Sequence, residues 1–248
     1  MLLAERLWSR RPRTQAEPER TARNVAMGAM SLAVVAGLQL PLALPLAGQV
    51  ERRRQGLAQQ LPGPAWLRDF AAVVVLDYAT YHWHVATHRV GWLWRLHLVH
   101  HIDLDMDAST ALRFHAADML VSVPLRLAQV RLLGVSPRAL DWYEAWFFAN
   151  VLFHHSNIAL PFDDELALVM TSPGMHDIHH RADAAASDAN FSSGLSVWDR
   201  LHGTFSSERP DVGMGVPAYR DPADLELLPS LLMPFGPQVE AFPVLAAE

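Results

Sequence analysis

The sequence predicts an all-α, multi-pass membrane protein, with about four transmembrane helices and a cytosolic, histidine-rich helical cap. Three observations carry that reading. Residues 24–48 hold no charged side chain, a run of 25 positions and long enough for a helix to cross about 30 Å of hydrocarbon. Further apolar segments follow, each bounded by Pro, Gly or a polar connector. Nine of the 13 histidines fall into spaced groups beside those segments. The composition agrees, with 51% hydrophobic and 19% charged residues, a balance shifted toward membrane proteins.

Residues 1–23 carry six Arg and three Glu and read as a basic N-terminal arm, solvated or lying at the interface. The basic stretch runs to Arg23 without a clear small-residue cleavage site, so the first apolar run is expected to be a retained anchor rather than a signal peptide. Pro41 and Pro45 are expected to kink or end that helix, since proline lacks the N–H and crowds the preceding turn. A polar connector (49–64) with Arg52, Arg53 and Arg54 closes at Pro62-Gly63-Pro64. The second apolar segment starts near Ala65 and carries Asp77, then His84 and His88. The third (about 116–135) contains Arg126 and Arg131, which weaken it as a span. A turn from Gly134 to Pro137 leads to the fourth (about 139–160), rich in Trp and Phe. The membrane-embedded domain is placed at 24–206 and a Pro-rich tail at 207–248.

Four spans put every histidine group on one side of the bilayer: the second segment ends at the first group, the third departs after the next, and the fourth returns at His155. The six arginines of the arm favour a cytoplasmic N-terminus and cytoplasmic histidines, while Arg52 to Arg54 vote the other way. The protein is therefore expected in the inner (plasma) membrane of a bacterium; a basic complement that is entirely Arg points to a GC-rich genome.

The groups read His84-x3-His88, His97-x2-His100-His101, the single His155, and His176-x2-His179-His180. Residues three and four apart share a helix face, so each group presents imidazoles to a common point. Neutral imidazole is the commonest metal ligand, and nine exceed what one ion needs, so two metals are implied. The chain has no Cys, which excludes disulfides and thiolate ligands. A net charge of −6 without a basic stripe gives no nucleic-acid signature.

Six ordered blocks resemble the fatty acid hydroxylase superfamily, which includes sterol desaturases and sphingolipid hydroxylases. They are D-Y-x-x-Y-H-x-H-x3-H (77–88), L-W-R-L-H-x2-H-H (93–101), T-A-L-R-F-H (110–115), H-S-N-x3-P (155–161), T-S-P-x-M-H-x2-H-H (171–180) and L-S-V-W-D-R-L-x-G-T-F (195–205). The resemblance covers about residues 70–206. It implies a di-iron centre on the nine histidines, membrane helices, and O2-dependent hydroxylation or desaturation of a lipid C–H bond, the substrate being fatty acyl, sterol-like or sphingolipid-like. Asn190-Phe191-Ser192 and His202 depart from the family's usual Asn-Tyr-Gly and aromatic residue. Ligand imidazoles usually donate their second N–H to a carboxylate or carbonyl, and Asp77, Asn157 and Asn190 are the expected outer partners. His115 and His154 stay open as further ligands.

The chain has no G-x-G-x-x-G and no Cys, hence no motif for flavin, haem or an iron–sulfur cluster, so a separate ferredoxin- or reductase-like electron donor is expected. A carotenoid, terpenoid or ether-lipid oxygenase of the same chemistry is the alternative. A membrane metal carrier or storage protein is the rival of a different class, but it would need polar ligands near the bilayer midplane, where only Asp77 and arginines intrude.

Overall fold

A computed structural model describes residues 2–242. The described residues are helical, with isolated backbone bridges but no strands. The helices used below are α1 (Leu2–Leu7), α2 (Glu19–Arg52), α3 (Ala65–Arg89), α4 (Gly91–His101), α5 (Ala116–Leu133), α6 (Pro137–His154), α7 (Pro173–His179), α8 (Val197–His202) and α9 (Leu227–Leu232).

Neither Pro41 nor Pro45 ends the first apolar helix. The backbone widens into a π turn at Val35–Gln39, where the Leu40 N–H bonds to the Val35 carbonyl five residues back. That wider turn makes room for Pro41, and α2 continues to Arg52. Among the described residues, α2 is the one helix whose length and composition suffice to cross a membrane. Its apolar window is 17% buried, so most of its surface faces outward. The other three expected spans correspond to α3, α5 and α6, which carry more charge or less apolar surface.

α2, α3, α5 and α6 pack through small residues. Ala43, Ala47 and Val50 of α2 meet Ala72 and Leu76 of α3, Val130 of α5, and Ala139, Leu140 and Tyr143 of α6. Gly134 closes α5 in the left-handed conformation that glycine tolerates best. There it meets Gly56, where a Cβ would collide with the Gly134 backbone. Ser136 then caps α6 by accepting from Ala139 N–H, with Pro137 in the first turn. These features lie at one end of the four helices, and the histidines gather at the other.

The arm is only partly solvated, because several of its side chains reach inward. Arg20 is fully buried and donates to Asp103 (2.8 and 2.9 Å), Asp107 (2.7 Å), the Asp105 carbonyl (3.0 Å) and Thr110 Oγ1 (2.7 Å). The cause lies in the segment after His101: Asp103, Asp105 and Asp107 alternate in a buried loop that needs a cation. Burial alone would raise the Asp103 carboxyl, but Arg20 and Arg113 overcome it and hold Asp103 below the usual carboxylate range. Asp105 accepts from the Thr14 and Gln15 N–H groups, and Glu5 from those of Ala108 and Asn157.

Part of the Pro-rich tail is likewise packed. Val216, Tyr219 and Leu225 cluster with Leu98 and Ile102 at the end of α4. Arg113, also buried, donates to the Val99 and Leu225 carbonyls and to Ser230 Oγ, joining the histidine-bearing α4 to the tail.

Candidate metal centre

The histidines converge as two buried groups. His84, His88, His97, His101 and His179 form one, and His100, His155, His176 and His180 the other; within each, one ring nitrogen per residue lies within 4.8 Å of all the rest. α3 delivers its pair at its C-terminal end. α4 follows after the break at Val90, and its His100 and His101 point to different groups because successive helical positions diverge. α7 starts at the Ser172–Pro173 cap and divides the same way, sending His179 to the first group and His176 and His180 to the second.

The hydrogen bonds fix which nitrogens are free. His84 Nδ1 lies 2.7 Å from the Phe191 carbonyl, and His179 Nδ1 lies 2.7 Å from the Ala189 carbonyl. A carbonyl only accepts, so both Nδ1 atoms carry the proton and both Nε2 atoms carry lone pairs. Those two Nε2 atoms are 3.1 Å apart, a contact that repels unless a cation lies between them. In the second group His155 Nδ1 donates to the Val151 carbonyl (2.8 Å). Its Nε2 then lies 3.1 Å from both His100 Nε2 and His176 Nε2, and His180 Nε2 is 3.2 Å from His176 Nε2. Nitrogens about 2.0–2.1 Å from one ion stand about 2.9–3.4 Å apart along a tetrahedral or octahedral edge, so these spacings fit the coordination of one ion per group.

Protons do not substitute for that cation. Burial, reinforced by neighbouring imidazoles, pushes His100, His101, His176 and His180 well below the ordinary range. Burial takes His155 down to about 4 and His179 to about 3. Several ring nitrogens, among them His88 Nε2, His97 Nε2 and His101 Nε2, are buried without a hydrogen-bond partner, as unfilled ligand positions would be. Phe191 packs beside His84, His88 and His179, while Phe114 stacks on His100 at 4.3 Å; both rings shield the site from water.

The three expected outer partners act at one remove. Asp77 is buried, but it accepts from Leu195 N–H and Trp198 Nε1–H rather than from a histidine, bracing the loop that leads into α8. Asn157 exchanges two hydrogen bonds with the Arg11 backbone and pins the arm. Asn190 adopts φ +57, tied by its side chain to the Met175 carbonyl and to Ser206 N and O. The carbonyls on either side of it, Ala189 and Phe191, are the ones that accept from His179 and His84. Asp199 reinforces that turn by accepting from Phe191 N, Ser192 N and Thr204 Oγ1; it pairs with neither Arg113 nor Arg200.

Sequence reasoning missed Asp118. It is buried in the first turn of α5, with its carboxylate 3.7 Å from His97 Nδ1. An acid in an otherwise apolar segment, the same signal that singled out Asp77, would have found it. Asp177, next to His176, is buried and pairs with Arg11 and Arg181. His115 caps α5 through Nδ1, which accepts from Ala117 N–H, so Nε2 is the donor to the Leu231 carbonyl at 3.1 Å. Both of its nitrogens are thus taken. His154 packs at 4.2 Å against His176 without joining either group. His202 stacks on Tyr78, and His82 meets both rings edge-on, away from the centre.

The fatty acid hydroxylase family model matches residues 70–204, more than half of the chain and the stretch that carries all nine histidines. Ornithine lipid hydroxylase OlsE of Rhizobium tropici is 26% identical over 191 residues, covering 75% of this chain and 57% of that protein. Alkylglycerol monooxygenase of Homo sapiens is 28% identical over 152 residues, covering 59% of this chain and 32% of that protein. The Caenorhabditis elegans alkylglycerol monooxygenase is 28% identical over 135 residues, covering 54% and 26%. The chain thus spans between about a quarter and somewhat over half the length of these relatives. No solved structure matches it.

Proposed function

Because the chain belongs to the fatty acid hydroxylase family, we propose that it is a membrane di-iron oxygenase that hydroxylates or desaturates a lipid C–H bond with O2 and electrons from a separate donor. The observation that carries the reading is the 3.1 Å approach of two imidazole nitrogens whose protons are committed elsewhere. Imidazole suits iron among the first-row metals. Two bound irons would supply O2 reduction and the oxidising power for an unactivated C–H bond. The protein's own part is to hold nine imidazoles, fix the tautomers of His84, His155 and His179 through the Phe191, Val151 and Ala189 carbonyls, and exclude water with Phe114 and Phe191.

On this reading α2, α3, α5 and α6 span the inner membrane of a bacterium and the histidine cap faces the cytoplasm. Large apolar side chains that point outward support it: Leu32, Leu42, Trp66, Phe70, Leu120, Trp142 and Phe148 are each more than a third exposed. The substrate is a lipid with a long alkyl chain and a polar head. Similarity to alkylglycerol monooxygenases favours an ether lipid as the second reading. A metal carrier is disfavoured because both histidine groups lie at one end of the helices.

The test is O2-dependent turnover of iron-loaded protein, reduced by a generic ferredoxin system and offered a bacterial total lipid extract, with mass spectrometry of the products. Gain of one oxygen atom or loss of two hydrogens in one lipid class is expected. The same turnover with no electron source would contradict the separate donor. Metal flux into proteoliposomes at transporter rates would overturn the enzyme reading.

A further inference from the structure

The tail contains an exposed apolar element that the family match does not reach. Residues 227–239 hold no charged side chain, between Glu226 and Glu240. They form α9, a short 3-10 turn at Met233–Phe235, and an extended stretch. Leu228, Leu232, Phe235 and Val239 are 64%, 58%, 70% and 60% exposed; Leu228 and Leu232, four apart, share one face of α9, and Phe235 and Val239 continue the exposed apolar run beyond it. The opposite face is committed inward: Ser230 is buried against Arg113, the Leu231 carbonyl accepts from His115, and Pro234 is buried. An apolar stripe of this kind, backed by polar anchors, marks a surface with an occupant.

Position identifies the occupant. Arg23, the last charged residue before the uncharged run of α2, bonds to Glu226 at 2.5 Å. Phe235 packs on His115, the cap of α5, at 5.7 Å between ring centroids. The stripe therefore sits where α2 and α5 begin their apolar stretches, on which Val25, Leu32 and Leu120 are exposed. A 13-residue uncharged segment is too short to span a bilayer but suits its interface. We propose that residues 227–239 form an interfacial foot, inserted shallowly into the lipid headgroup region, that sets the height of the histidine cap above the membrane. This rests on the membrane reading given above, but not on the metal or the chemistry.

The absence of Cys allows single spin labels at Leu228→Cys, Leu232→Cys, Phe235→Cys and Val239→Cys in full-length protein reconstituted in vesicles of phosphatidylethanolamine and phosphatidylglycerol. The readout is relaxation by O2, which partitions into lipid, against relaxation by a water-soluble nickel chelate. All four labels are expected to respond more to O2 than to nickel, with Glu165→Cys, on the outer surface of the cap, showing the reverse. Stronger relaxation by nickel at the four sites overturns the foot, and so does weak relaxation by both agents, which would mean a protein partner or a second copy covers the stripe. Leu32→Cys on α2 separates the two levels: O2-dominated there but not at the foot refutes the foot alone, whereas nickel-dominated at both refutes the membrane reading itself.

Discussion

Individual side chains decide whether this site is a metal centre or a buried histidine cluster. His84 and His179 settle their own tautomers by donating to the Phe191 and Ala189 carbonyls, and the two nitrogens left facing each other at 3.1 Å fit ligands of a shared cation. Both carbonyls flank Asn190, so Asn190→Ala is expected to loosen that turn and weaken metal retention by about 10–100-fold, the usual cost of losing a group that orients a ligand. Chelator competition measures it, and unchanged retention would show that the turn holds without the side chain. Asp118→Asn tests the His97 contact by the same assay, with a loss of similar size expected. The nine histidines were legible in the sequence because their spacing repeats, and the structure brings all nine together. The orienting groups were not, because most of them are main-chain carbonyls, and a carbonyl leaves no mark in a sequence. Asp77 was noticed for its rarity in an apolar run, but rarity does not reveal which neighbour it binds, and that neighbour is Trp198.

At the scale of elements, the central object is the loop after α4, with Asp103, Asp105 and Asp107 gathered around Arg20. Arg20→Met removes the cation and leaves buried carboxylates unpaired, a change expected to cost about 3–5 kcal/mol. Thermal unfolding in detergent checks this; a shift no larger than for an exposed arginine such as Arg53→Met would show that the arm is dispensable. Asp103 adds a pH dependence. Its folded pKa lies below the unfolded value of about 4, so its stabilising contribution is complete above about pH 4 and is lost as pH falls through the lower, folded value. Acid unfolding of Asp103→Asn should therefore be shallower than that of the parent. Helix starts and stops were readable from Pro, Gly and Ser, as at Gly134–Pro137. The continuation of α2 through two prolines was not, since a π turn depends on packing rather than on a residue signature. The arm read as solvated or interfacial because its arginines were counted as charge, while the carboxylates that bury Arg20, on Asp103 and Asp107, lie more than 80 residues away in sequence.

The whole molecule joins four long helices, a cap that buries two groups of imidazoles, and an arm and tail that fold back to clamp the cap. Metal binding should then be linked to folding. With free iron at about 100 times its dissociation constant, each occupied site adds about 2.7 kcal/mol to stability, so stripping the metal with a chelator should lower the melting temperature and readdition should restore it. The all-helical class was legible from apolar segments and their punctuation. The docking of the tail on α4 was not, because Val216, Tyr219 and Leu225 carry no periodic signal and gain meaning only beside Leu98 and Ile102.

The nine histidines are proposed to form two metal sites, one with five ligands and one with four. Metal stoichiometry in the iron-loaded protein and in two paired variants tests it most directly. The parent should retain about two irons per chain, the expectation for two groups of this size. His84→Ala with His179→Ala should empty one group and leave about one, and so should His155→Ala with His176→Ala for the other. A parent that binds one iron or none under the same loading, in protein shown by circular dichroism to be folded, would contradict the account.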